Sequence, residues 1–206
     1  MIDSGLIARA CAFRPWDAMS PAALAGIARR GPFRSTLETG CGGSTIVFSH
    51  VSTSHTALAI EGADRTITGL RQCTDLNNKA VTFIEGETKD TLPARVSPAD
   101  VDLILLDGPH AYPMPQLEFT FLFPFLRRGG WLVLDDIQIP SVHELFRFLK
   151  SNSQVVLEEV SLRTAFFRRV SIAPPEPDGW ERQGMNRNLV LRYSWRDSLR
   201  SLLLKR

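Results

Sequence analysis

Leu37-Glu38-Thr39-Gly40-Cys41-Gly42-Gly43-Ser44-Thr45 is the stretch on which the reading of this chain turns. A β-rich run, Ser35–Glu38, leads into it and a helical pattern, Ser44–His50, leads out of it. The glycines therefore fall at a strand-to-helix junction, on the carboxyl edge of a sheet, where α/β proteins bind ligands. Glycine lets the backbone turn with φ > 0 and approach a ligand closely, and a tight turn alone would ask for the same residues. The acid before the turn adds something a turn does not need. Backbone N–H groups of Gly42 to Ser44 at a helix start suit a carboxylate, Glu38 suits an ammonium, and an amino-acid moiety carries both. A dinucleotide loop, G-x-G-x-x-G, would want glycine where Thr45 stands.

Outward from this loop, short apolar runs alternate with helical stretches, the signature of βαβ units around a parallel sheet. Strands are expected at Ser35–Glu38, Thr56–Glu61, Val81–Glu85, Val101–Asp107, Trp131–Asp135, Val155–Val160 and Thr164–Val170. The fourth and fifth are nearly continuous apolar runs, as in central strands covered on both faces. Helices are expected at Pro21–Arg30, with Ser20 as N-cap, Pro21 at its first position and Gly31 at its end, and at Ser44–His50, Ala63–Gln72, Met114–Phe125 and Ser141–Lys150. Pro124 should end or kink the fourth of these. Too few residues separate the last two strands for a parallel crossover, so they should form an antiparallel hairpin at the sheet edge. The expected fold is a doubly wound, seven-stranded, mostly parallel Rossmann-like α/β sheet. Residues 1–34 would form a helical cap, 35–172 the sheet domain and 173–206 a tail packed on it.

With 206 residues, 44% hydrophobic and 22% charged, the chain fits one globular domain. Lys plus Arg number 24 and Asp plus Glu 22, a net charge of +2, which leaves no global field for nucleic acid or an acidic membrane. Cys11, Cys41 and Cys73 form no CxxC pair and read as reduced intracellular thiols. Phe119–Leu126 is too short to span a bilayer, and the N-terminus carries Asp3 and no basic stretch followed by a long apolar run, so a cytoplasmic location is expected.

The string ETGCGGST resembles motif I of class I S-adenosylmethionine-dependent methyltransferases, an acid followed by G-x-G-x. The likeness runs on along the sheet. Glu61, after the second strand, sits where that family places an acid on the two ribose hydroxyls, a pairing that a carboxylate satisfies. Ile84-Glu85-Gly86-Glu87 resembles the family's turn beside the adenine, which implies that Glu87 approaches the base. Taken alone, either acid reads as a solvated strand end, and their joint placement at successive strand ends is what tells against that. The resemblance implies S-adenosylmethionine as cofactor, with Glu38, Gly40, Gly42, Ser44, Glu61, Glu87 and Asp107 around it.

After strand four comes Asp107-Gly108-Pro109-His110-Ala111-Tyr112, and after strand five Asp135-Asp136. Both strand ends should open on one edge, where clustered carboxylates repel unless a cation intervenes. The pattern D-G-x-H-x-Y followed by G-G-x-x-x-x-D-D resembles metal-dependent O-methyltransferases of the catechol type and, more closely, the macrocin group. That resemblance implies Asp107, Asp135 and Asp136 as ligands of Mg²⁺ or Mn²⁺, and His110 as the base that takes a proton from the acceptor hydroxyl. Asp136 departs from the Asn usual in the catechol type and agrees with the macrocin-like enzymes. Capping acids and a loop histidine would leave the same residues in place. His50, His55 and His143 have no acidic company in sequence and read as structural.

The implied activity is methyl transfer to a small hydroxylated acceptor, a sugar or a phenol. Same-fold enzymes resembling cephalosporin hydroxylase or the aminopropyl transferases, and a non-catalytic nucleoside-binding module, are the alternatives. Acceptor choice should lie in Met1–Arg34, Gly108–Pro115 and the tail from Ala173. There Trp180 suits either a sugar ring or a packing role, and the stripe of Leu199, Leu202 and Leu203 suits a second subunit or the chain's own core.

Overall fold

The computed structural model describes residues 3–15, 18–95, 100–171 and 186. The tail features around Trp180 and Leu199 to Leu203 lie outside the described residues.

Alternation of apolar side chains to both faces sets the middle of the sheet. In β4 (Val101–Leu106), Ile104 and Leu106 enter one core and Leu103 and Leu105 the other, all six residues being buried. In β5 (Leu126–Leu134), Leu132 and Leu134 join the first core and Val133 the second. Around them stand β1 (Phe33–Thr39), β2 (Ser52–Ala59), β3 (Val81–Glu85), β6 (Val155–Ser161) and β7 (Thr164–Arg169). The seven strands run in the order β3-β2-β1-β4-β5-β7-β6, parallel through β5 and antiparallel across β5-β7-β6. This is the expected doubly wound sheet with its edge hairpin.

Helices α1 (Ser4–Phe13), α2 (Pro21–Arg30), α3 (Gly43–Val51) and α4 (Thr66–Gln72) share one face of the sheet. The other face carries α5 (Thr88–Arg95), α6 (Met114–Leu122) and α7 (Pro140–Ser151). Sequence patterning overlooked α1 and α5. It also extended α6 to Phe125; the helix ends at Leu122, and Phe123–Phe125 makes a 3₁₀ turn at Pro124. No helix among the described residues is long and apolar enough to cross a membrane.

The strand order reverses between β1 and β4, and at such a switch point loops from neighbouring strands part to leave a crevice. Register fixes what meets there. Thr39 pairs with Leu106 and Leu106 with Leu134, so the residues just past these three strands, Gly40, Asp107 and Asp135, stand side by side.

Candidate active site

Gly40 has φ +83°, and a Cβ placed on it would lie 2.4 Å from the Asp107 carbonyl oxygen. Only glycine fits where the first and fourth strand ends touch. Beneath the loop, Glu38 is 0% exposed. Its Oε2 accepts from Ser44 Oγ at 2.6 Å, and its Oε1 accepts from Thr45 Oγ1 and lies 3.0 Å from His55 Nε2. Thr45 Oγ1 in turn accepts from the Gly42 N–H at 2.9 Å. Glu38, expected to pair with an ammonium, is thus tied to the loop from below through Ser44 and Thr45. Thr45, which in sequence only broke a dinucleotide pattern, holds that loop.

Two cavities open along the strand ends. The larger, about 620 Å³, runs past Leu58, Ala59, Ile60, Gly62, Gly86 and Thr88, between the ends of β2 and β3. The smaller, about 340 Å³, is polar and is bounded by Gly42 to Ser44, His110, Asp136 and Arg163. Arg14, Gly40, Cys41 and Asp107 line both, so the two meet at the switch point. Burial pushes the Cys41 thiol up to about 12, which leaves it an inert wall.

Glu61 lies two residues beyond β2, between Ile60 and Gly62 of the larger cavity. Its carboxylate caps α4, accepting from the N–H groups of Ile67 at 2.7 Å and Thr68 at 3.1 Å and from the Thr68 hydroxyl, which holds it below the usual carboxylate range. Glu87 lines the same cavity and pairs with Lys89.

In the smaller cavity, His110 Nε2 lies 3.4 Å from Asp136 Oδ2 and 3.8 Å from Asp107 Oδ1. That nitrogen is buried and has no hydrogen-bond partner among the described residues. Burial pushes the Asp107 carboxyl up to about 7 against the pull of His110, and Asp135 and Asp136 add to the rise. The imidazole is itself raised, chiefly by Asp107, with burial opposing. It therefore keeps its proton to higher pH than a free imidazole and serves as a base only above that point.

Residues 37–137, about half of the chain, match the family model described as a methyltransferase domain. The chain carries a methyltransferase domain, of the class I S-adenosylmethionine-dependent kind that its motif I resembles. No curated protein matches it in sequence. Among solved structures, it is similar to the O-methyltransferase TomG of Streptomyces achromogenes, involved in tomaymycin synthesis and crystallised with S-adenosylmethionine. That likeness has 19% identity and a TM-score of 0.63 over 83% of this chain and 92% of the other. An O-methyltransferase of Bacillus cereus bound to S-adenosylhomocysteine gives 16%, 0.59, 83% and 92% in the same order. A methyltransferase of Geobacter sulfurreducens gives 13%, 0.62, 83% and 91%. At such identities these likenesses bear on the fold.

A divalent cation, which the sequence resemblance implies, can be tested against the donors this methyltransferase presents. The expected trio was Asp107, Asp135 and Asp136. Asp135 is 2% exposed, and its Oδ1 accepts the hydroxyl of Thr164 on β7, which directs that oxygen away from the cavity. Among the described residues, the side chains whose ligand atoms lie within 4.8 Å of one another are Asp107, Asp136 and His110. Asp136 Oδ1 already faces Arg163 Nε at 3.0 Å and accepts from Gln138 Nε2 at 2.9 Å. Mg²⁺ favours all-oxygen, octahedral surroundings with uncompensated negative charge. Two carboxylates, an imidazole and a fixed guanidinium do not fit it.

Two further residues that shape the methyltransferase site escaped the sequence reading. Glu118 of α6 is buried, its carboxyl pushed up to about 7 by that burial. Its Oε2 accepts from Thr39 Oγ1 at 2.8 Å, and Thr39 Oγ1 accepts from the Asp107 N–H at 3.1 Å. Its Oε1 fills the space where any Cβ on Gly108 would stand, 2.2 Å away. The turn carrying His110 is thus packed on an acid that a helical pattern hides among apolar neighbours. Arg163 sits in a hairpin turn, and only the topology brings it across to Asp136.

Proposed function

We propose that this enzyme methylates a hydroxyl oxygen of a small molecule, a sugar or a phenol, with His110 as the general base. The observation that carries this is the buried, unpartnered His110 Nε2 in the wall of the polar cavity, next to the point where it meets the larger one. An acceptor hydroxyl there would donate to that nitrogen and, in the reaction, pass it the proton. S-adenosylmethionine, when bound, would supply a methyl group activated by its sulfonium, and the acceptor oxygen, giving its proton to His110, would take that methyl group as the carbon–sulfur electron pair returned to sulfur.

The nucleoside belongs in the larger cavity, whose apolar walls between β2 and β3 suit a purine. In this reading Glu87 lies beside the base, Glu61 takes the ribose hydroxyls, and the amino-acid end passes over Gly40 to the N–H groups of Gly42 and Ser44 at the start of α3. Glu38 acts from beneath, holding the loop through Ser44 and Thr45. Asp107 and Asp136 favour the imidazolium that forms as the proton arrives.

A panel of monosaccharides and phenols incubated with methyl-labelled donor tests the reading. Label should appear on oxygen, and His110→Ala should slow turnover by about 10²-fold or more while S-adenosylhomocysteine still binds. Label found only on nitrogen or carbon acceptors, or undiminished turnover in His110→Ala, would contradict it.

A further inference from the structure

We propose that Arg163 takes the place of a divalent cation in this methyltransferase, which works without a bound metal. The pair it forms is built rather than incidental. Arg163 Nη2 donates to the Ala18 carbonyl at 2.7 Å while Nε faces Asp136 Oδ1 at 3.0 Å, and the Arg163 carbonyl accepts from the Ile137 N–H at 3.0 Å. Both ends of the residue are therefore tied, one to the segment before α2 and one to the residue after Asp136. Leu162, just before it, and Asp136, opposite, each adopt left-handed backbone with φ +54°. Leu162 is the first residue of the two-residue loop between Ser161 and Thr164, a position at which tight hairpins take φ > 0.

Charge accounting points the same way. Asp136 faces the Arg163 guanidinium at 3.0 Å, and His110 lies between Asp136 and Asp107. Asp135 spends its Oδ1 on Thr164. The acid cluster that called for a cation in the sequence already contains one, on a hairpin some 27 residues further along the chain (163 minus 136). A second, divalent charge would be repelled by the guanidinium and would have to displace it from Asp136. Arg163 thereby fixes Asp136 beside His110 and leaves the imidazole free to act on the acceptor.

Titration of Mg²⁺ and Mn²⁺ into the purified protein, with and without S-adenosylhomocysteine, followed by calorimetry and by the paramagnetic resonance of free Mn²⁺, reads this directly. Wild type should show no site tighter than about 1 mM. Arg163→Met should bind Mn²⁺ about tenfold more tightly or better, because one like charge is gone, and adding Asp136→Asn should remove the gain. A micromolar wild-type site lost in Asp136→Asn would overturn the inference, and so would an Arg163→Met protein that binds no better than wild type. Far-ultraviolet dichroism and bound S-adenosylhomocysteine report that each variant is folded. The inference rests on the methyltransferase reading only for that ligand: a wild type that failed to bind it would count against the reading, and the titrations without it would still decide the role of Arg163.

Discussion

The proposed role of His110 as the base turns on its distance from Asp136. A carboxylate 3.4 Å from an imidazole stabilises the charged ring, so removing it should lower the pKa of His110. Proton NMR titration of the ring should place the wild-type midpoint above about 6.5 and the Asp136→Asn midpoint below the wild-type one. A wild-type midpoint at or below a free imidazole's would show that the neighbouring acids do not act on it. The sign carries over to turnover, which should rise with pH through that midpoint as the base is freed. Gly40 makes the other residue-scale case. With φ +83° and a carbonyl oxygen 2.4 Å from any Cβ, Gly40→Ala should cost most of the affinity for S-adenosylhomocysteine in calorimetry. Unchanged affinity would mean that the loop does not shape the cofactor cleft. His110, Asp136 and Gly40 all stood out in the sequence because their types are chemically specific. Glu118 and Arg163 did not, since a buried acid in an amphipathic helix and a turn arginine look ordinary until the fold supplies their partners.

At the scale of elements, patterns that carry their own punctuation were legible. Pro21–Arg30 was read with its bounds intact because Ser20 and Pro21 announce its start, and the Ser20 Oγ does accept from the Ala23 N–H at 3.1 Å. The start of β2 was missed, since Ser52 to His55 look polar; His55 is nonetheless buried, stacked on Phe48 with ring centres 4.6 Å apart and bonded to Thr36 and Glu38. Helix α1 was missed although Leu6, Ile7, Ala10 and Cys11 recur at helical spacing and pack into the core, and it lies against α3, where the Ala10 carbonyl oxygen is 2.3 Å from any Cβ on Gly43. The hairpin that carries Arg163 depends on β7, whose Phe166 is fully buried with its ring against Gly26 of α2. Phe166→Ala should destabilise the protein by about 3–5 kcal/mol in urea unfolding. A loss below about 1 kcal/mol would mean that the site relaxes around the gap or that this contact is not made.

For the whole molecule, parallel strands in the order β3-β2-β1-β4-β5 put every loop of the candidate site on one edge, and the antiparallel β7-β6 hairpin brings a cation to it from the far side. The alternation of strands and helices and the acids at the strand ends were readable from sequence, since periodicity and residue type encode them; the β1–β4 switch point came with the strand order. Which carboxylates face the cavity was not, because that depends on side-chain partners distant along the chain: Asp135 turns to Thr164, and Glu38 turns down to Ser44, Thr45 and His55. The central claim is that the methyl donor lies across the strand tips with its sulfur where the two cavities join. A crystal structure with S-adenosylhomocysteine tests it most directly. The account predicts the adenine between the ends of β2 and β3 and the sulfur beside Gly40 and Asp107, within reach of an acceptor at His110. An adenosyl group in the polar cavity, or a ligand bound away from the β1–β4 crevice, would contradict it.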